Sequence, residues 1–336
     1  MIDLNGKSVL ITGGCGFIGS NFIEYINDNY KKVDIFNIDK WGIGHRKLTG
    51  SVLSKYNNYR EIHMDICELD CNKSFFYNGI LNKTKFDYVF HFAAESHVDR
   101  SINDPTSFIT SNVVGTSKLL EFMKTNNPDA RIICISTDEV YGQLPANEGV
   151  FLESTPLNPR SPYSASKAAS DLLALAFNQT FGMDILVTRC CNNFGPNQHD
   201  EKFIPTILKS LLNDKKIPVY GKGENVREWI FVEDHNKCIL EIAERGESGQ
   251  VYNVSSPEAF EYSNLDLIKK ILDILYNGDK KIEDAIEFVE DRKGHDFRYA
   301  IASEKMTYKS EFKKFNDALK ETVEFYKKKF TNKKLD

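Results

Sequence analysis

Thr12-Gly13-Gly14-Cys15-Gly16-Phe17-Ile18-Gly19 decides the fold. The stretch follows a β-branched run, Ser8 to Thr12, and opens a helical one, Ile18 to Asn29. Its glycines at 13, 16 and 19 give the spacing G-x-x-G-x-x-G. Glycines permit a tight turn and close approach of the backbone to a pyrophosphate, which then lies at the positive end of the helix. Alone, such a triplet is a weak signal. Here Asp39 ends the second β run, twenty residues beyond Gly19, where a carboxylate accepts hydrogen bonds from a ribose. A carboxylate repels a 2′-phosphate, so the reading is NAD; Lys40 and Arg46 nearby keep NADP open, and a plain turn role for Asp39 is the bland alternative.

Outward from this turn, short apolar runs alternate with amphipathic stretches. The runs are Ser8 to Thr12, Val33 to Ile38, Arg60 to Met64, Tyr88 to Ala93, Arg131 to Ser136 and Asp184 to Arg189. Those at Tyr88 and Arg131 are apolar almost throughout, as strands covered on both faces should be. Helices are expected at Ile18 to Asn29, Pro105 to Lys124 and Pro162 to Phe181. The rhythm predicts an α/β fold: a doubly wound parallel sheet of Rossmann type with right-handed crossovers. After Arg189 it breaks into a helix (Ile204 to Asn213), a strand (Ile217 to Tyr220) and helices at Val232 to Arg245, Asn264 to Tyr276 and Lys309 to Lys328. The expected division is a cofactor-binding domain over 1–191, with segments returning to it near 229–254. A smaller interleaved lobe takes 192–228 and 255–336.

The 336 residues are long enough for a large core, and 43 basic against 48 acidic residues offer no general attraction for nucleic acid or an anionic membrane. Lys327-Lys328-Lys329 and Lys333-Lys334 read as a solvated helix end and tail. Seven cysteines (15, 67, 71, 134, 190, 191 and 238) include no C-x-x-C pair. That argues for reduced thiols in a cytoplasmic protein and against a disulfide framework or zinc site. No apolar signal region opens the chain, and no run of about 18 apolar residues suggests a membrane span. No metal is expected: His91 lies in an apolar strand and reads as a satisfied core histidine.

Ser136-Thr137-Asp138-Glu139-Val140-Tyr141-Gly142 and Tyr163-Ser164-Ala165-Ser166-Lys167 carry the chemistry. Tyr163 and Lys167 share a helix face, and an ammonium near the phenol favours phenolate, lowering a pKa that starts near about 10. A phenolate can take the proton of a sugar hydroxyl while the carbon-bound hydrogen leaves as hydride. Thr137, Asp138 and Glu139 end the fifth strand, where α/β folds gather their chemistry. Read blandly they are a polar turn with a capping Asp138. Eliminating water beside a new carbonyl needs one carboxylate to remove a proton and one carboxylic acid to protonate the departing hydroxyl. Neighbouring carboxyls push each other's pKa values apart as that task requires. Asp65-Ile66, after the third strand, suits an adenine or a simple turn cap; Phe92-Ala93-Ala94-Glu95-Ser96 offers small residues on which a cofactor can lie.

With these stretches in view, the chain resembles the extended short-chain dehydrogenase/reductases, and within them the dTDP-glucose 4,6-dehydratases. The matching motifs span nearly the whole chain: T-G-G-C-G-F-I-G-S-N-F, H-F-A-A-E-S-H-V-D-R-S-I, S-T-D-E-V-Y-G, S-P-Y-S-A-S-K-A, N-N-F-G-P-N-Q-H-D-E-K-F-I-P, V-R-E-W-I-F-V-E-D-H and D-R-K-G-H-D-F-R-Y. The resemblance implies that Tyr163, with Lys167, takes the 4-hydroxyl proton while hydride leaves C4 for NAD. Thr137 would bond the oxygen at C4, Glu139 take the C5 proton and Asp138 protonate the C6 hydroxyl. It implies cofactor contacts at Gly13, Gly16, Phe17, Ile18, Gly19, Asp39, Lys40, Asp65, Ile66, Phe92, Ala93, Ala94, Ser96, Ser111, Tyr163, Lys167 and Asn193. For the nucleotide-sugar it implies Ser96, Thr137, Asn192, Lys202, Phe203, Pro218, Val219, Tyr220, Arg227, Asn264, Arg292 and His295. Lys202, Arg227 and Arg292 would be the cations a diphosphate requires.

Gln198-His199-Asp200-Glu201-Lys202 departs from the usual H-F-P-E-K, Lys293 replaces a usual Pro, and the segment after Asp39-Lys40-Trp41 is unlike the common D-K-L-T-Y-A-G. The first two departures leave both dTDP-glucose and UDP-glucose open, since G-P-N-Q also resembles the UDP-glucose 4,6-dehydratases of plants. A nucleotide-sugar 4-epimerase needs no pair of acids after the threonine, and a non-catalytic NAD-binding regulator needs no intact set. The family resemblance also implies a homodimer through Pro105 to Lys124 and Pro162 to Phe181.

Overall fold

The computed structural model describes residues 2–42, 45, 46, 48, 58–70, 76–146 and 148–332. Cys71, Lys333 and Lys334 lie outside the described residues. In chain order the strands are β1 (Ser8–Thr12), β2 (Asp34–Asp39), β3 (Tyr59–His63), β4 (Tyr88–His91), β5 (Arg131–Thr137), β6 (Ile185–Cys190), β7 (Asn192–Phe194), β8 (Ile217–Tyr220), β9 (Val226–Phe231), β10 (Val251–Val254), β11 (Glu261–Ser263) and β12 (Ile286–Val289). The principal helices are α1 (Phe17–Asn29), α2 (Gly115–Asn126), α3 (Pro162–Phe181), α4 (Phe203–Leu212), α5 (Val232–Arg245), α6 (Asn264–Tyr276) and α7 (Phe315–Asn332).

Seven strands form one sheet in the order β10-β6-β5-β4-β1-β2-β3. Every neighbouring pair in it is parallel, the doubly wound arrangement expected. Side chains alternate across the sheet. Val9 and Ile11 of β1 and Ile133 and Ile135 of β5 pack with Phe22, Ile23 and Ile26 of α1 and Ile239 and Ile242 of α5. Leu10, Ile132 and Cys134 face the other way, onto Leu119, Leu120, Phe122 and Met123 of α2 and Ala174 of α3. Both faces are covered, so the central strands are apolar throughout. Each fully buried aliphatic side chain contributes about 1.5–3 kcal/mol, whereas an exposed ion pair contributes about 0–1; the two covered faces hold the sheet.

A third core belongs to the smaller lobe. Ile204, Ile207, Leu208 and Leu211 line one face of α4 at helical spacing, against Leu267, Ile268 and Ile271 of α6 and Leu319, Val323 and Tyr326 of α7. Its strands form a three-stranded sheet, β11-β9-β7, and a two-stranded one, β12-β8. β9 serves both cores: Trp229 and Phe231 enter the small-lobe cluster and Ile230 the main one.

Three expectations need correction. The helix read over Lys309 to Lys328 begins only at Phe315. Residues before it have their amides taken by carboxylates of α5: Lys309 N–H and Ser310 N–H donate to Glu241, and Lys313 N–H to Asp234 Oδ2 at 2.9 Å. The stretch Pro105 to Lys124 is not one α-helix; Ile109–Val114 is π-helical between Pro105–Phe108 and α2. Val219, offered as a pocket residue, turns inward: β8 alternates, leaving Pro218 and Tyr220 exposed and Val219 in the small-lobe core.

Candidate active site

A cleft along the carboxyl ends of the main sheet is bounded by the glycine turn, the ends of β2 to β6 and the segment 192–202. Gly13 has φ +74°, and a Cβ there would stand 2.6 Å from the Ala93 amide nitrogen. One at Gly19 would stand 2.4 Å from the Gly13 carbonyl oxygen. These glycines let β1, β4 and α1 close on one another. Asp39, nearly buried, accepts the Cys15 N–H at 2.9 Å and the Trp41 N–H at 2.8 Å. Burial is the main cause holding its carboxyl above its usual value, with those amides opposing. Arg46 is forked onto Glu24 through contacts of 2.7 Å, and Lys40 reaches Glu95 at 3.1 Å and the Ser111 hydroxyl at 2.8 Å. The two cations that kept a 2′-phosphate open therefore have carboxylate partners.

Asp65 is a turn cap that also borders the cleft: its Oδ1 accepts the Cys67 N–H at 2.9 Å. Ile66, Phe92, Ala93, Ala94, Ser96, Phe17, Ile18 and Gly16 line the same cleft. Ser111 reaches it from the π-helical segment, whose widened turn is a frequent device at functional sites. His91 is a buried structural residue. Its Nδ1 lies 2.7 Å from the Thr12 hydroxyl and its Nε2 2.9 Å from that of Thr116. Among the described residues no group of three or more potential ligands could hold a metal.

Ser161 caps α3 reciprocally with Ser164, and Pro162 occupies its first turn. That rigid start sets Tyr163, Lys167 and Asp171 on one face, four residues apart. Lys167 donates to the Ile135 carbonyl at 2.8 Å. Burial lowers the Lys167 ammonium, and the Asp171 carboxylate opposes that fall. The expected phenolate is not what the environment favours: burial, then the charges of Glu139, Cys190 and Asp138, hold the Tyr163 phenol well above its usual value, with only the Thr137 hydroxyl easing it among the leading causes.

Asp138 and Glu139 open a short 3-10 turn, Asp138–Tyr141, capped by the Thr137 hydroxyl, which accepts the Glu139 N–H at 3.4 Å. Their surroundings differ. Asp138 is buried, accepts the Thr137 hydroxyl at 3.2 Å through Oδ1, and its Oδ2 has no partner. Burial first, then Glu139 and Glu228, push it well up, against Arg227. Glu139 is raised by burial too, but three cations, Arg292, Arg227 and Lys202, oppose the rise. Both carboxyls are pushed up, Asp138 the more strongly, while three cations hold back the rise of its neighbour.

Asn192, Asn193 and Lys202 line the cleft opposite these acids. Lys202 donates to the Ser96 carbonyl at 2.7 Å. Asn193 donates to the Cys191 carbonyl at 3.2 Å and leaves a buried Oδ1 without partner. Arg227, Arg292 and His295, also proposed as substrate contacts, are engaged with other groups of the protein. Arg227 is committed to the carbonyls of Val226, Phe297 and Asp296 and lies over the Tyr299 ring. Arg292 approaches Asp99 at 3.7 Å, and His295 packs beside Tyr220 and bonds Asp291 at 2.7 Å. Phe203, Pro218 and Asn264 are not among the cleft-lining residues.

A family model described as GDP-mannose 4,6 dehydratase matches residues 10–322. The chain belongs to this family of nucleotide-sugar 4,6-dehydratases. It is 41% identical over 321 residues to the low-salt glycan biosynthesis protein Agl12 of Haloferax volcanii, covering 95% of this chain and 98% of that one. With the dTDP-glucose 4,6-dehydratase of Salmonella typhimurium it shares 40% identity over 342 residues, 95% of this chain and 92% of the other. A crystal structure of dTDP-glucose 4,6-dehydratase from Bacillus anthracis in complex with NAD is 38% identical, with a TM-score of 0.84, covering 96% of this chain and 97% of that one. The resemblance read from the motifs is thereby borne out.

Within this dehydratase fold, several cleft residues were read only as parts of motifs, with no role of their own. Arg100 contacts Glu201, and His97 and His199 each approach Glu201 at 3.7 Å. Gln198 donates to the Asn193 carbonyl at 2.9 Å. Asn112 ties the loop after β4 to α3, accepting the Glu95 N–H at 2.8 Å and donating to the Ser166 hydroxyl at 2.8 Å. An asparagine within an apolar helix was the one readable hint.

Proposed function

We propose that this chain is an NAD-dependent lyase that converts dTDP-glucose to dTDP-4-keto-6-deoxyglucose. The observation that carries the reading is the pair of adjacent carboxyls, Asp138 and Glu139, lining one cleft with Tyr163 and Lys167, Asp138 buried with one oxygen unpartnered. An epimerase returning hydride to C4 has no use for that pair.

The residues fit the cofactor. Gly13, Gly16 and Gly19 line the cleft at the start of α1, and the unpartnered Asn193 Oδ1 suits an amide donor. Gly13, Gly16 and Gly19 would hold the pyrophosphate, Asp39 the adenosine ribose, and Asn193 with Tyr163 and Lys167 the nicotinamide end. When bound, NAD would supply a hydride acceptor for C4 and a hydride donor for C6. Tyr163 would take the proton of the 4-hydroxyl, assisted by Lys167 on the same helix face. Thr137 holds the oxygen at C4. Glu139 removes the C5 proton, now acidic beside a ketone, and Asp138 gives its proton to the C6 hydroxyl as the C6–O bond breaks and water leaves. A proton returns to C5 as C6 is reduced, so oxidation and reduction cancel over a turn. Lys202, Arg227 and Arg292 would meet the diphosphate, which requires Arg227 to exchange carbonyl partners for phosphate oxygens.

Incubation with dTDP-glucose and, separately, UDP-glucose tests this. A keto-sugar absorbing in alkali, carrying solvent deuterium at C5, is the expected product with dTDP-glucose. Consumption of neither sugar by NAD-loaded protein overturns the reading, and preference for UDP-glucose reassigns the nucleotide.

We also infer a homodimer. Ile109, Val114, Leu172 and Phe181 are large apolar side chains exposed on the two helical stretches in question, a pattern that favours burial against a second copy. Sedimentation of the pure protein checks it. Among the described residues no helix is long and apolar enough to cross a membrane and six cysteines are free; both support the proposed cytoplasmic setting.

A further inference from the structure

The ends of β2 and β3 carry a closed circuit of hydrogen bonds that the reaction as assigned does not use. Asn37 and Asp39 stand two apart on β2, and Tyr59, Glu61 and His63 alternate along β3, with Asn37 opposite Glu61 in the parallel register. Alternation therefore puts these side chains on one face of the sheet. Asn37 is wholly buried, and its Oδ1 accepts the Gly14 N–H at 2.9 Å. A Cβ at Gly14 would strike that oxygen, so glycine is what admits the contact. With Oδ1 taken, Asn37 Nδ2 donates to the Tyr59 hydroxyl at 2.9 Å. That hydroxyl donates to Glu61 Oε2 at 3.0 Å, and Glu61 Oε1 accepts the Trp41 indole N–H at 2.9 Å. Asp39 closes the circuit: Oδ1 takes the Trp41 N–H, and Oδ2 takes the N–H of Cys15, the residue after Gly14. The donor sense is forced all the way round, because backbone amides and an indole N–H donate and a carboxylate accepts.

Trp41 is the unusual member. Its φ is +54°, a conformation that bulky side chains rarely adopt. The ring is exposed and stacks on His63, with centroids 4.0 Å apart and planes 10° from parallel. Such backbone strain persists where the surroundings over-determine it, and it clusters at ligand sites. Here the backbone N–H, the indole N–H and the ring face are each engaged, at the residue where the chain leaves the common D-K-L-T-Y-A-G run.

We propose that Trp41 is a positioning residue for the dinucleotide: through Glu61, Tyr59 and Asn37 it locks the glycine turn and Asp39 into one preformed unit, so that pyrophosphate and adenosine ribose meet groups already set. The proposal rests on the reading of that turn and Asp39 as the cofactor site. A carboxylate oxygen accepts more than one donor, so each oxygen of Asp39 keeps a place for a ribose hydroxyl while an amide holds it still. A site ordered beforehand loses less freedom on binding, and linked hydrogen bonds strengthen one another in enclosed surroundings. Both slow the release of a dinucleotide that each turnover restores.

Exchange of bound NAD for labelled NAD, followed in the NAD-loaded full chain, tests the circuit. Trp41→Phe keeps an aromatic ring over His63 and deletes the indole donor; Tyr59→Phe keeps its ring and deletes the hydroxyl. Each is expected to speed release roughly five- to tenfold, the scale of one hydrogen bond. Because both cut the same circuit, the double variant should release NAD no faster than either single one. A parental rate in Trp41→Phe, or effects that multiply to about 25-fold or more in the double variant, overturns the proposal. Trp41 is exposed, so the urea midpoint of Trp41→Phe should stay parental; faster release with a matching fall in the midpoint would assign the residue to the fold and overturn it too. If Tyr59→Phe does not fold, Glu61→Gln takes its place in the pair, since one amide cannot accept from both neighbours. Asp39→Ala is read separately: parental exchange in that variant sinks the cofactor-site reading itself, whatever Trp41 does.

Discussion

Arg189 donates to Asp171 across 3.0 Å, with both side chains almost wholly buried, one helical turn beyond Lys167. The guanidinium also lies 4.8 Å from the centre of the Tyr141 ring. Removing one partner strands the other charge in the interior. Asp171→Asn is therefore expected to cost about 3–5 kcal/mol of stability, and replacement of both residues by apolar ones of similar size considerably less. Denaturant unfolding of the single and double variants measures this; a loss below about 1 kcal/mol for the single change contradicts it.

Tyr163→Phe removes the hydroxyl and keeps the ring, which packs edge-on to Phe108. Turnover should fall by roughly 10²–10⁴-fold, the usual contribution of a positioned acid or base, while the circular dichroism spectrum is retained. Normal turnover would remove the phenol from the mechanism.

Glu139→Gln should separate the half-reactions. Oxidation at C4 precedes loss of the C5 proton, so reduced nicotinamide should build up in a single turnover without keto-sugar release. A variant that eliminates water at the parental rate refutes the assignment.

Gly13→Ala meets two obstacles. Its φ of +74° disfavours any side chain by about 1–2 kcal/mol, and the new methyl would meet the Ala93 backbone. The loop must shift, so the purified variant should retain little NAD. Parental cofactor content would show that the turn is not the pyrophosphate cradle.

His91 should make stability fall in acid. Burial, then the charge of Lys167, drives its pKa down to about 3 from 6.5. The folded protein favours the neutral ring, so the stabilisation is present in full above about pH 6.5. It is lost as pH falls towards 3, at about 1.4 kcal/mol per unit. His91→Gln should flatten that slope by one proton in urea titrations at several pH values; an unchanged slope rejects the account.

Much of this was legible in the residues. β1, β8, α3, α5 and α6 begin and end where periodicity and caps put them, because each carries its own boundary signal, such as Pro162 after Ser161. The strands missed, β7, β9, β10, β11 and β12, are three to six residues long. In β9, Arg227 and Glu228 interrupt the apolar pattern. The late start of α7 was illegible because Asp234 and Glu241, far back in the chain, claim the amides that would have opened it. In the site, the glycine turn, Thr137, Asp138, Glu139, Tyr163, Lys167, Asn192, Asn193 and Lys202 line one cleft, whereas Phe203, Pro218, Val219, Tyr220, Arg227, Asn264, Arg292 and His295 are not among its lining residues. The raised phenol of Tyr163 did not follow from the Tyr-x-x-x-Lys spacing, since its burial and the charges of Glu139 and Asp138, in the turn after β5, depend on the tertiary fold.

The outermost strand of the main sheet, β10, comes from beyond the whole first excursion into the small lobe, pairing Val251 with Val187. While the protein is being synthesised, the rim of β6 stays bare until residue 254 has been made. Long-range closure of this kind is slow, and an apolar open rim invites pairing with other chains. Chains cut short before Val251 would therefore expose that rim permanently, so the cell must complete about three quarters of the polypeptide before its first half is safe from aggregation.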